Sequence, residues 1–145
     1  MNFISAPSAA LLLVLLGTPA CSKPTELSIG TIGDTMAYDA TSFTVKAGQK
    51  VHLTLKNNAT MPSMPHNWVL VKPSTEASVA AAAQTAGEAK GFVPLVGDVL
   101  AHTEQTKPGQ SSDVSFTAPE AGSYPFLCTN PGHAATMKGT LIVTE

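Results

Sequence analysis

Residues 51–56 alternate strictly: Val51, Leu53 and Leu55 are apolar, while His52, Thr54 and Lys56 are polar. A side-chain period of two puts these sets on opposite faces of an extended strand, so the segment needs a core on one side and tolerates water on the other. The same alternation sets Leu27, Ile29 and Thr31 against Ser28, Gly30 and Ile32, and Phe43 and Val45 against Thr44 and Lys46. Trp68 to Val71 is a short continuous apolar run, and Val114, Phe116, Tyr124, Phe126, Leu141 and Val143 supply further strand candidates. Turn chemistry separates them at Ala47-Gly48, Asn57-Asn58, Pro73, Lys107-Pro108-Gly109, Pro119 and Gly122. One segment breaks the pattern. Glu76–Ala86 is alanine-rich, follows Ser74-Thr75 as a candidate cap, and meets Gly87 just past its end, which predicts a helix. The expected architecture is all-β, a Greek-key β-sandwich or barrel of about eight strands with one inserted α-helix.

The amino-terminal end follows a different logic. Residues 1–20 contain no Lys, Arg, Asp or Glu, and their apolar stretch Ala9 to Leu16 is well short of the roughly 20 residues that span a bilayer. With Gly17-Thr18-Pro19-Ala20 behind it, this stretch reads as a cleavable export signal. Cys21 follows at the position where bacterial lipoprotein signals place the cysteine that receives lipid. Residues 21–26 are thus expected to be a lipid-attachment cysteine and short tether, and residues 27–145 the folded domain. About five extended residues reach only roughly 17 Å, which would keep that domain against the membrane face. The net charge of −2 lacks the basic footprint that a nucleic-acid partner requires.

The most informative chemistry lies in Cys128-Thr129-Asn130-Pro131-Gly132-His133-Ala134-Ala135-Thr136-Met137, a C-x4-H-x3-M loop. It carries a thiol, an imidazole and a thioether, with Pro131 and Gly132 setting the turn. One more imidazole would complete two His and one Cys with a weak axial Met, the donor set of blue-copper electron-transfer sites. His66, in Met64-Pro65-His66-Asn67-Trp68 at the start of a strand, is the expected partner. His52 lies on the polar face of its strand and His102 leads into a turn, so both are expected to be solvated. Thiolate and thioether favour Cu(I), and imidazole suits both valences. One copper per chain on His66, Cys128, His133 and Met137 would therefore change charge with little ligand movement. Metal coordination also accounts for an unpaired thiol in an exported chain.

At these residues the chain resembles the azurins and the related auracyanins, within the cupredoxin family. The matching segments are MPHNWVL (Met64 to Leu70), Ala101-His102-Thr103 and CTNPGHAATMKGTL (Cys128 to Leu141), with weaker similarity through Phe43 to Lys56. The resemblance implies an eight-stranded Greek-key barrel with a helical flap and type 1 copper on the four residues named above. It implies a long contact from the backbone carbonyl of Pro65, where azurins usually carry Gly, and a bracing role for Asn67 toward the loop of Cys128. It also implies that the edge of His133 opens on a flat apolar docking surface, here Met61, Met64, Pro131, Gly132, Ala134 and Ala135. The chain departs from familiar azurins at Asn130, where they are aromatic. A polar side chain beside the thiolate is expected to bring hydrogen bonding or water, favour Cu(I) and raise the reduction potential. Neither cysteine corresponds to the azurin disulfide.

The expected function is one-electron transfer rather than catalysis, by a monomer at the periplasmic or extracytoplasmic membrane face. Its partners would be redox proteins such as c-type cytochromes or membrane electron-transfer complexes. The alternative is a periplasmic copper storage or delivery protein, a role that calls for exposed Met and His clusters rather than an enclosed thiolate. A copper enzyme would need several further histidines, and only His52 and His102 are left over.

Overall fold

The computed structural model describes residues 23–145, so the expected export signal (residues 1–20) and Cys21 lie outside the described residues. Eight strands form: β1 (Thr25–Gly30), β2 (Ser42–Lys46), β3 (Lys50–Lys56), β4 (Val69–Val71), β5 (Val99–His102), β6 (Ser111–Thr117), β7 (Gly122–Leu127) and β8 (Lys138–Thr144). Among the described residues there is one α-helix, α1 (Glu76–Ala86), inserted between β4 and β5. Short 3₁₀ turns occupy Glu88–Lys90 and His133–Ala135. The strands make two sheets, one of three in the order β1-β3-β6 and one of five in the order β2-β8-β7-β4-β5. This is the sandwich form of the expected architecture, without closure into a barrel. Gly122, read from the sequence as a break, is the first residue of β7, and His102 ends β5 rather than leading into a turn.

The alternation that predicted β3 is realised: Val51, Leu53 and Leu55 are buried, and the residues between them are not. β1 lies parallel to β3 with Leu27 opposite Leu53 and Ile29 opposite Leu55, so both strands deliver apolar side chains to one face. β7 carries Pro125 although it sits between β8 and β4. A proline cannot donate to a ladder, but β4 pairs with β7 only at Leu127 and Phe126, leaving position 125 free of that demand. Trp68, Phe126 and Leu70 are fully buried between the sheets. The Trp68 ring lies 5.6 Å from Phe126 and 5.9 Å from Phe116, and Tyr38 meets Phe126 edge-on at 5.8 Å.

Helix α1 has the bounds its composition predicted, but the expected side-chain cap does not form. The Thr75 hydroxyl turns back and donates to the Lys72 carbonyl (2.8 Å), an alternative bond that competes with capping for this residue type. The first helical bond instead runs from Val79 N–H to the Thr75 carbonyl (2.9 Å). Val79 and Ala83 are its buried residues, and Val79 packs with Val69, Val71, Val93 and Leu127 in a second, smaller apolar cluster. The helix thereby lies over β4 and β7 at the point where β7 ends.

Strand direction places the candidate residues. β3 ends at Lys56 and the chain then reaches His66, while β7 ends at Leu127 and continues directly into Cys128. Val69, the first residue of β4, pairs with Leu127, so the segments of His66 and Cys128 emerge side by side at one end of the sandwich. Thr25, where β1 begins, pairs with Val51 near the start of β3 and so belongs to the opposite end.

Candidate metal centre

Two loops and one bridge build the site. His66 is set by a two-residue antiparallel bridge to Thr106: His66 N–H donates to the Thr106 carbonyl (3.0 Å) and Thr106 N–H to the His66 carbonyl (2.7 Å). Asn57, which the sequence offers only as a turn former, is fully buried and pins this bridge. Its Nδ2 donates to the carbonyls of Met64 (2.8 Å) and Thr106 (2.9 Å), and its Oδ1 accepts from Ala59 N–H (2.9 Å). The second loop starts at Cys128, whose N–H donates to the Met137 carbonyl (2.9 Å), and closes through Met137 N–H on the His133 carbonyl (2.9 Å). Gly132 makes the entry to the His133 turn at φ +81°, a backbone region that a side chain disfavours.

These supports bring His66 Nδ1, Cys128 Sγ and His133 Nδ1 face to face. The two nitrogens are 3.2 Å apart, and the sulfur is 3.5 Å from His133 and 3.8 Å from His66. The point equidistant from all three lies about 2 Å from each, the length of a metal–imidazole bond. The triangle fits one metal ion, and it is the group among the described residues with that capacity. Cys128 is a free, buried cysteine. Met137, fully buried, stands across the backbone pair from Cys128. His66, Cys128 and Met137 have no exposed surface, whereas His133 keeps 8% of its own.

The environment favours the uncharged forms of all three groups. Burial, together with the His133 ring alongside, lowers the His66 pKa from 6.5 to about 4. Burial also lowers that of His133. Burial pushes the Cys128 thiol up to about 11, opposed by the backbone N–H groups of Asn67 and Asn130 that face the sulfur. Two neutral imidazoles and a sulfur therefore crowd together without a positive charge between them, which suits a cation.

Asn67 is buried and links the segment after His66 to the segment after Cys128. Its Oδ1 accepts from Thr129 N–H (2.9 Å), and its Nδ2 donates to Thr129 Oγ1 (2.8 Å) and to the Gly91 carbonyl (3.0 Å). Gln84 on α1 adds a bond to the Thr129 carbonyl (3.2 Å). Asn130 departs from expectation in one respect. Its backbone N–H faces the sulfur, but its side chain turns away to the Pro65 carbonyl and to Gln105. The Pro65 carbonyl thus already accepts a hydrogen bond.

Of the residues expected to form a docking surface, Pro131, Gly132 and Ala135 are exposed, Met64 and Ala134 are half-buried, and Met61 is 50% exposed. Met36, 43% exposed, extends this face: its carbonyl accepts from Thr136 Oγ1 (3.0 Å) beside the His133 turn. The sequence signal for Met36 was only a methionine in the Gly33-Asp34-Thr35 turn. Asp34 ties that turn to the Met61 loop, accepting from Thr60 N–H (2.6 Å) and Met61 N–H (2.8 Å). His52 bonds Ser115 across β3 and β6 (3.0 Å) and is half-buried, and His102 is exposed.

Comparison with known proteins agrees with this geometry. A profile of copper binding proteins of the plastocyanin/azurin family matches residues 25–144. Auracyanin-A of Chloroflexus aurantiacus is 38% identical over 125 residues, covering 84% of this chain and 76% of its own length. The azurin of Achromobacter denitrificans is 32% identical over 146 residues, 95% of this chain and 97% of its own. The solved structure of dithionite-reduced auracyanin from Roseiflexus castenholzii superposes with a TM-score of 0.78 at 38% identity, over 86% of this chain and all of that one. Two sheets, one inserted helix, a buried His-Cys-His triangle and these likenesses over most of the chain have one reading: the protein belongs to the plastocyanin/azurin family of copper-binding proteins.

Proposed function

We propose that the protein is a one-electron carrier whose single copper is held by His66, Cys128, His133 and Met137. When bound, the copper supplies the chemistry by alternating between Cu(I) and Cu(II). The observation that carries this reading is the buried triangle of Nδ1, Nδ1 and Sγ, with edges of 3.2 to 3.8 Å, from which His133 alone reaches the surface. Hydrogen bonds from Asn57, Asn67 and Thr106 fix the donor atoms from outside, so they need not rearrange when charge arrives or leaves. Burial of His66, Cys128 and Met137 keeps water away from the donors. The partly exposed His133 gives electrons a short way through, and the small or flexible apolar groups around it suit brief docking. Weak redox encounters typically bury under about 1,200 Å² and need no dense charge pattern.

The remaining histidines support a carrier over an enzyme, because His52 and His102 belong to β3 and β5 and not to the His66 group. We infer further that residues 1–20 direct export, that the domain, whose first strand begins at Thr25, acts as a monomer, and that Cys21 carries lipid at the extracytoplasmic, periplasmic face. The tether then enters at Thr25, at the end of the sandwich opposite His66, and His133 faces away from the bilayer toward redox proteins such as c-type cytochromes. The test is a visible spectrum of copper-loaded, oxidised protein beside that of Cys128→Ser. Intense blue colour that bleaches on reduction and is missing from the variant supports the reading. A folded, copper-exposed sample that stays colourless refutes it.

A further inference from the structure

Gln105, in the loop between β5 and β6, is not among the proposed ligands, yet it bonds the side chain of Asn130, whose backbone N–H faces the Cys128 sulfur. Its Nε2 donates to the Gly91 carbonyl (3.2 Å) and to Asn130 Oδ1. Asn130 in turn donates through Nδ2 to the Pro65 carbonyl, next to His66. A primary amide has one accepting end and one donating end, so the group that meets Gln105 decides which end meets Pro65. Two acceptors, Gly91 O and Asn130 Oδ1, call for the NH₂ of Gln105, and its Oε1 is left buried without a partner. Asn130 is only 4% exposed, so water does not offer its amide an alternative. The Gly91 carbonyl also holds Asn67 Nδ2, which ties this relay to the brace on the Cys128 loop.

We propose that Gln105 is a positioning residue for the metal centre: it fixes the direction of the Asn130 amide, which engages the Pro65 carbonyl and withholds a hard oxygen donor from the ion. This rests on the proposed copper site. Its consequence is selectivity. With the carbonyl oxygen occupied, the ion meets imidazole nitrogen and sulfur, a set that suits Cu(I), while Zn(II) loses an oxygen it would accept.

The test is a cycle of Gln105→Glu, Asn130→Ala and the double variant, each assayed for Zn(II) and Cu(I) affinity by chelator competition. Gln105→Glu offers only acceptors, so the Asn130 amide turns its N–H toward the new carboxylate and its oxygen toward Pro65, and the carbonyl is repelled from its bond. Asn130→Ala frees the same carbonyl by a shorter route. Each single variant is expected to raise the Zn(II)-to-Cu(I) affinity ratio by about tenfold, the scale of outer-shell effects, and the double variant to match Asn130→Ala. The Asn130 side-chain amide resonances of the metal-free Gln105→Glu protein should also move. An unchanged ratio in Asn130→Ala overturns the proposal. So does a Gln105→Glu effect that persists in full without the Asn130 side chain, because added charge alone would then explain it. Should Gln105→Glu not fold, Gln105→Met removes the donor without charge and should shift the ratio in the same direction; no shift refutes the relay. A wild-type protein that takes up no copper defeats the site itself, a separate outcome.

Discussion

Asn67 grips Thr129 at two points, accepting its backbone N–H at 2.9 Å and donating to its hydroxyl at 2.8 Å. The pair joins the residue after His66 to the residue after Cys128 and is sealed from water. Replacing Asn67 with Ala strands the Thr129 N–H, while the Thr129 hydroxyl keeps only its bond to the Phe92 carbonyl (2.6 Å). The metal-free protein should lose about 2–3 kcal/mol, read as a lower urea midpoint with an unchanged slope. Copper should bind about 10 to 100 times more weakly. A variant that keeps both values would mean that packing alone holds the loop.

Metal binding should displace a fixed number of protons. At neutral pH the lowered His66 and His133 are already uncharged, each with a free ring nitrogen, and the raised Cys128 is a thiol. One copper should therefore release one proton, from Cys128, measurable by calorimetry in buffers of different ionisation enthalpy. Release of none, or of two or more, would contradict the protonation states assigned to the triangle.

The metal-free fold should weaken on both sides of neutrality. His66 has its pKa at about 4 when folded against an ordinary 6.5, so the unfolded chain binds more protons between these values. Its contribution is complete above about 6.5 and is lost as pH falls toward 4, in the same direction as that of His133. Cys128 runs the other way: its contribution is complete below the ordinary 9 and is lost as pH rises through 11. Urea midpoints of apoprotein across this range should fall at each limb. His66→Phe should flatten the acid limb.

Gly139 has no room for a methyl group. An added Cβ would overlap the Phe126 ring and the Thr41 carbonyl, and neither belongs to a flexible chain end. Gly139→Ala should cost about 2–3 kcal/mol of stability by overpacking. A loss under about 0.5 kcal/mol, the range of ordinary surface changes, would show that β2 and β7 can move apart freely.

The face around His133 should respond to charge. Met61→Lys and Met36→Lys each place an ammonium on the exposed apolar rim. Electron self-exchange joins two copies of that rim, so like charges meet. The rate should drop about tenfold or more at low salt and recover as salt screens the pair. If only the Met61 variant slows, Met36 lies outside the contact.

Much of the strand pattern was legible because it is local. The alternation at Val51, Leu53 and Leu55 survives intact in β3, and helix α1 has its predicted limits. The Thr75 cap failed because the hydroxyl found a nearer acceptor in Lys72, a choice that a propensity cannot register. The spacing of Cys128, His133 and Met137 marks the centre from one loop, but Asn57, Thr106, Gln105 and Met36 carry no comparable mark. Each acts through partners distant in sequence: Asn57 Nδ2 bonds Thr106, and Thr136 bonds Met36 across 100 positions.

The chain's order of residues determined which donors are available, their softness and the period-two segments that must share a core. Those properties depend on side-chain chemistry and on neighbours within a few positions, so they can be read without a fold. Tertiary structure decided that two imidazole nitrogens and one sulfur stand within 3.8 Å of each other, that His133 alone opens to solvent, and that the Asn130 amide faces Pro65 instead of the sulfur. These are outcomes of register and of which buried polar group satisfies which, and a hydrogen bond between distant segments exists only once packing has brought them together.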